Sequence, residues 1–250
     1  MFKLAVAALL LSFARVSCAE CEGLFDQLNK SLGYPESETE GYFSACKVWP
    51  ADANKTIVAL AHFQRGSSYG EPSSWGEGLW DLDVLIVKTD SGEIQHRLFQ
   101  KGAVSSEAFR FIGIDIDTAR YQLAPTVIAF GIRTYFGGAA EFETLSLYVI
   151  QQNKLKPILS KLIMLANYGE DHVECPSWSR ATRTLAIAKT VSNGYADLIL
   201  QEKKVEQDMV DDDTNEISPG CTVEETKSSQ RYTLRFDGNT YIVPIKELQY

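Results

Sequence analysis

The sequence predicts a mainly β domain, an antiparallel sandwich, barrel or small propeller-like array of repeated strand-loop-strand units, with a short N-terminal helix in front of it. Short β-rich apolar runs recur from Thr56 onward, separated by Gly, Asn, Asp and Ser. No long helical pattern alternates with them, which argues against a doubly wound α/β fold. With 45% hydrophobic and 23% charged residues over 250 positions, the chain can build a sizeable core and is neither a disordered tail nor a fibre.

Residues 1–19 read as a secretory signal. Met1-Phe2-Lys3 is a short basic end, Leu4 to Phe13 is an apolar run, and Ser17-Cys18-Ala19 offers a small-residue cleavage site, so cleavage after Ala19 is expected, with a mature chain that begins at Glu20. A membrane anchor would need about 20 apolar residues in a row, and Arg15 breaks the run. Arg15 also stands where a lipoprotein signal at Cys18 would carry an aliphatic residue. No later segment is apolar enough to span a bilayer. Cleavage takes Lys3 and Arg15 from the 24 basic residues and none from the 33 acids, moving the net charge from −9 to −11. So acidic a chain is a poor nucleic-acid or anionic-membrane binder, because that binding neutralises phosphates with Lys and Arg. The expected location is secreted or periplasmic.

Cleavage leaves Cys21, Cys46, Cys175 and Cys221, an even set in an oxidising compartment, which predicts two disulfides. The sequence-local pairing, Cys21–Cys46 and Cys175–Cys221, closes the shortest loops and is preferred. Their spacing has no CxxC and no neighbouring His pair, so zinc is not expected.

Along the mature chain, Leu24, Phe25, Leu28 and Leu32 have helical spacing and Gly33 follows as a stop, predicting a short amphipathic helix. Residues 34–50 read as a polar, turn-rich segment, so 20–50 form an N-terminal helix and disulfide-tied part and 51–250 the β domain. Strands are expected at Thr56–Phe63, Leu82–Lys88 and Ile94–Phe99. A second series runs at Val127–Arg133, Leu145–Ile150 and Leu155–Leu159, and a third at Thr184–Ala188, Ala196–Leu200 and Val205–Val210. Leu155, Ile158, Leu159, Leu162 and Leu165 also fit a helix, with Pro157 in its first turn, and both readings stand. Asp117 and Tyr121, and again Asp237 and Tyr241, are four apart with a Pro beyond, which predicts two equivalent hairpins within a repeated unit. Phe136-Gly-Gly-Ala-Ala140 and Asn193-Gly-Tyr-Ala-Asp-Leu-Ile199 resemble, over a short stretch, the repeats of integrin-type propellers. The Asp-x-Asp-x-Asp-Gly calcium loop of those repeats is absent, so no family is assigned.

No GxSxG elbow, HExxH helix, phosphate-binding GxxxxGK[ST] loop or GxGxxG fingerprint occurs, and His62, His96 and His172 have no metal partner at helical spacing. No cofactor is implied. Two carboxylate pairs, Asp81/Asp83 and Asp115/Asp117, each lie two apart on a strand and share a face. Such pairs can serve calcium or glycoside hydrolysis. Leu82, Val84, Ile114 and Ile116 at the alternate positions instead predict half-buried strands with a wet polar face.

The most unusual stretch is Arg65 to Trp80, with Arg65, Tyr69, Trp75, Glu77 and Trp80 in a Gly- and Ser-rich connection. Aromatic rings among Gly and Ser resemble the composition of recognition loops, and Trp and Tyr dominate interface energetics. Those five residues are the candidate partner-binding set, with Trp80 closest to the strand and able to point inward. The expected function is non-enzymatic recognition of a protein partner, inhibitor- or immunity-like, a basic target suiting the acidic chain. An envelope structural or assembly component and a carboxylate-based polysaccharide enzyme are the alternatives.

Overall fold

A computed structural model describes residues 19–34, 43–64, 78–106, 109–138, 140–169, 177–212 and 220–250. Residues 1–18 lie outside the described part, as does most of the Arg65–Trp80 connection. Among the described residues no helix is long and apolar enough to cross a membrane.

The expected helix forms as α1 (Ala19–Leu32) and turns off at Gly33, whose φ of +79° suits a residue without a Cβ. Leu28 is buried on its apolar stripe, with Leu24, Phe25 and Leu32 packed around it. A disulfide joins Cys21 to Cys46, with Cα atoms 6.0 Å apart, and fastens α1 to the first sheet. The expected partner bond, Cys175–Cys221, falls on side chains outside the described residues.

The first sheet is an antiparallel meander of β1 (Phe43–Val48), β2 (Lys55–Phe63), β3 (Gly78–Lys88) and β4 (Ile94–Ser106), in that order. Its two central strands are buried on both faces. Ile57, Ala59, Ala61, Trp80, Leu82, Val84 and Ile86 face the second sheet, while Val58, Leu60, Leu85 and Val87 lie beneath α1. Double burial explains why β2 reads as a continuous apolar run rather than as an alternation.

The second sheet runs in sequence order through β5 (Arg110–Ala124), β6 (Val127–Gly137), β7 (Ala140–Gln151), β8 (Lys154–Gly169), β9 (Trp178–Ser192), β10 (Tyr195–Asp212), β11 (Gly220–Phe236) and β12 (Tyr241–Ile242). Gln152–Asn153 and Asn193–Gly194, all at positive φ, make the two-residue turns that join β7 to β8 and β9 to β10. Phe130, Ile132, Phe136, Phe142 and Tyr148 pack the sheet against the first one. Leu145, Leu147 and Val149 point the other way, into a second core with Leu198, Leu200, Leu234 and Phe236. The two sheets therefore form a mainly β, sandwich-like fold, not closed into a barrel.

β8 pairs with β9 only from Leu165 to Gly169, which leaves its earlier edge open. Residues on either side of β12 fill that gap: Thr240 donates to the Ile158 carbonyl at 3.0 Å, Gln249 to Ser160 at 3.1 Å and the Tyr250 N–H to Lys161 at 3.1 Å. Capping an edge in this way removes a site for unwanted strand pairing.

Three expectations change. Phe43–Val48 is a strand paired with β2, not part of a turn-rich segment, so the sheet begins before residue 51. Leu155–Leu165 is strand; three register shifts against β7 let Ile158 and Leu159 both point inward, which imitates helical spacing. The two Asp–Tyr segments are not equivalent hairpins. Asp237 turns the chain between β11 and β12 by accepting the Asn239 and Thr240 N–H groups. Asp117 instead bonds the Ala119 N–H at 2.8 Å inside one bulged strand, β5.

Candidate functional site

The connection from 65 to 77 leaves and rejoins the sheet at one hairpin end. There the Gln64 N–H donates to the Leu79 carbonyl at 2.8 Å, and β2 and β3 pair in register up to Phe63 and Trp80. Trp80 packs edge-on to Phe63 at 5.3 Å and to Phe111 at 5.3 Å, and Phe43 lies 5.4 Å away. Gly78 (φ +136°) sits against the Phe63 ring, where a Cβ would come within 2.4 Å of it. Sheet ends packed this tightly on aromatic rings are rigid supports for what they carry.

This packing corrects one member of the candidate set. Trp80 is 2% exposed and belongs to the core between the sheets, so its ring is not available to a partner. Its position two residues before Leu82, on the same strand face, is the reason. Arg65, Tyr69, Trp75 and Glu77 lie outside the described residues.

Beside the hairpin, on the face under α1, lies a charged cluster. Asp83 is fully buried and accepts from Arg97 Nε at 2.6 Å, from Arg97 Nη2 at 3.0 Å and from the Tyr34 hydroxyl at 2.5 Å. Tyr34 stacks on His62 with ring centroids 3.7 Å apart. Burial and the adjacent Asp83 hold the Tyr34 hydroxyl well above the usual phenol range, so it stays a donor. Burial lowers the His62 pKa, against the attraction of Asp83 and Asp81, which keeps the imidazole neutral. The hydrogen bond to Asp83, helped by its charge, raises the Arg97 pKa further against the opposing effect of burial. Asp81 accepts the Gly102 N–H at 2.6 Å and so fixes the bulge where β4 departs from β3. The reading of Asp81 and Asp83 as wet-face residues is therefore corrected: α1 covers that face, and Asp83 is a buried ion-pair partner.

The second pair behaves in a related way. Asp117 accepts from Arg133 Nε at 2.9 Å and Nη2 at 2.6 Å and from the Tyr121 hydroxyl at 3.0 Å, and Arg133 also pairs with Glu143. Burial alone would raise the Asp117 pKa, but the Ala119 N–H, Arg133 and Tyr121 outweigh it and hold the carboxyl below the usual range. Asp115 is the exposed member and bonds the Ile116 N–H beside it. Here too the wet-face reading fails for one of the two residues. Asp117 is withdrawn because neighbouring β6 supplies an arginine on the same face.

Asp83 spends both oxygens, and Asp117 its Oδ2, on an internal arginine and tyrosine. Carboxylates tied in this way build the scaffold; they are poorly placed to hold a metal or to exchange a proton with a substrate. The tertiary partners came from strands 14 and 16 residues away, so no local spacing announced them. No protein family, curated relative or solved structure matches the chain.

Proposed function

We propose that the chain is a non-enzymatic binding protein of the secreted or periplasmic space, which recognises a protein partner through the 65–77 connection, in the manner of an inhibitor or an immunity protein. The observation that carries this reading is the base of that connection. Both of its ends emerge from one hydrogen-bonded hairpin locked by Phe43, Phe63, Trp80 and Phe111. A recognition loop costs least to order when the scaffold below it is already fixed. The aromatic and Gly/Ser composition of the connection supplies contact area and adaptability. The acidic charge favours a basic partner, since opposite potentials speed encounter.

The carboxylate-enzyme alternative is weakened by the arginine and tyrosine partners of Asp83 and Asp117. The test is capture of envelope or culture-fluid proteins on immobilised mature chain, with each retained protein identified by mass spectrometry. One dominant basic protein, retained at low salt, weakened at high salt and lost with Trp75→Ala, is the expected result. Retention that is unchanged by Trp75→Ala, or polysaccharide cleavage abolished by Asp83→Asn in a stably folded variant, overturns it.

A further inference from the structure

A cavity of about 200 Å³ lies between the two sheets, at the β4 bulge. The first sheet contributes Leu82 and Val104 to its lining, and the second contributes Ile132 and Phe136 together with Lys161 and the hydroxyls of Thr134, Thr144 and Ser146. These hydroxyls are partly engaged and still able to donate. Thr134 and Thr144 share one hydrogen bond at 2.6 Å, which leaves one hydroxyl hydrogen over, and Ser146 accepts the Lys161 N–H at 2.9 Å. Gln100 accepts the Tyr148 hydroxyl at 2.9 Å, which leaves its amide N–H groups to donate.

Lys161 is unusual in two respects. Its φ of +49° is the one left-handed non-glycine conformation inside a strand among the described residues; the others, Gln152, Asn153 and Asn193, occupy hairpin turns. A side chain in that region is strained and persists where surrounding structure imposes it, often at ligand sites. Its ammonium is oriented by the Tyr250 ring, 5.8 Å from the centroid. Burial lowers its pKa, with no carboxylate acting to restore it. Among the described residues lining the cavity there are two lysines, Lys101 and Lys161, and no Asp or Glu, in a chain of formal charge −9.

We propose that this cavity binds a small organic acid, its carboxylate on Lys161 and the neighbouring hydroxyls and its short apolar body against Leu82, Val104, Ile132 and Phe136. The chemistry is set by the walls. A cation among neutral donors selects an anion, and the apolar wall selects one that carries hydrocarbon rather than inorganic phosphate. The volume fits a single ring, since an apolar cavity of about 150 Å³ accepts benzene. This site is independent of the 65–77 connection and goes beyond the partner-binding reading.

The test uses the mature protein and four probes: benzoate, benzyl alcohol, benzylammonium and inorganic phosphate, followed by NMR shift titration and calorimetry. Benzoate is expected to bind saturably, at least tenfold more tightly than benzyl alcohol, with shifts centred on Lys161, Thr134 and Thr144; benzylammonium should not bind. Lys161→Gln should remove the preference for benzoate over benzyl alcohol, and Lys161→Arg should restore part of it. The wild-type comparison stands even if a variant fails to fold. Equal binding of benzoate and benzyl alcohol overturns the role of Lys161, and phosphate binding as tight as benzoate overturns the role of the apolar wall. No shift with any probe overturns the site.

Discussion

The outer face of the first sheet and the gap between the sheets treat buried charge in opposite ways. Under α1, Asp83 is met by Arg97 and Tyr34, and every strong contact stays inside the protein. In the gap, Lys161 is half-buried beside hydroxyls and an aromatic ring, with no Asp or Glu among the described residues that line the cavity and a left-handed backbone beneath it. Burial by itself therefore does not mark a binding site. A charged group whose partners are complete stiffens the scaffold; one left uncompensated, at a cost in strain, leaves room for a ligand. The rigid hairpin under the 65–77 connection belongs with the first kind.

The comparison can be broken from the scaffold side first. Trp80→Ala should lower unfolding stability by about 4 kcal/mol in urea titration, the usual cost of emptying a buried tryptophan site. Trp80→Phe should keep most of that stability, because the indole N–H has no partner among the described residues to lose. Arg97→Ala comes next, at about 3 kcal/mol. It strands the Asp83 carboxylate with Tyr34 alone, and the figure lies at the low end for a buried pair because the Arg97 side chain is 39% exposed. A loss under about 1 kcal/mol would show that the pair is only a surface contact.

From the other side, Lys161→Gly should raise stability by about 1 kcal/mol, since glycine takes a φ of +49° without the steric cost. An unchanged melting curve would remove the strain from the contrast. A further effect concerns pH. The His62 pKa is lowered in the folded protein, so the unfolded chain binds the extra proton and stability is full above about pH 6.5 and falls as the pH drops below it. Between pH 7 and pH 5 the slope should reach at most about 1.4 kcal/mol per pH unit, and His62→Gln should flatten it. A slope unaffected by that substitution would place the titrating group elsewhere.

Local chemistry made much of the fold legible. The α1 stripe with its Gly33 stop, the Cys21–Cys46 bond and the turns at Asn153 and Asn193-Gly194 all follow from neighbours in sequence. Legibility ended where tertiary packing overrode the local pattern. β1 is short and mixes Ser44, Cys46 and Lys47 with its apolar residues, so only its pairing with β2 reveals it. Asp83 looked solvent-facing because nothing in β3 says that α1 covers that side. The Lys161 cavity left no motif at all, since its walls come from β3, β4, β6, β7 and β8. The one trace was the Ser160-Lys161 break in an apolar run, and that break also gave β8 its helical disguise.

On the proposed reading labour is divided: Trp80 would hold the hairpin, and the 65–77 connection would make the contact. The most direct test measures partner affinity and unfolding stability on the same two proteins, Trp75→Ala and Trp80→Ala. The account predicts that Trp75→Ala loses about 2 kcal/mol or more of binding with an unchanged unfolding midpoint, while Trp80→Ala loses about 4 kcal/mol of stability. A Trp75→Ala protein that binds normally and unfolds early would contradict it.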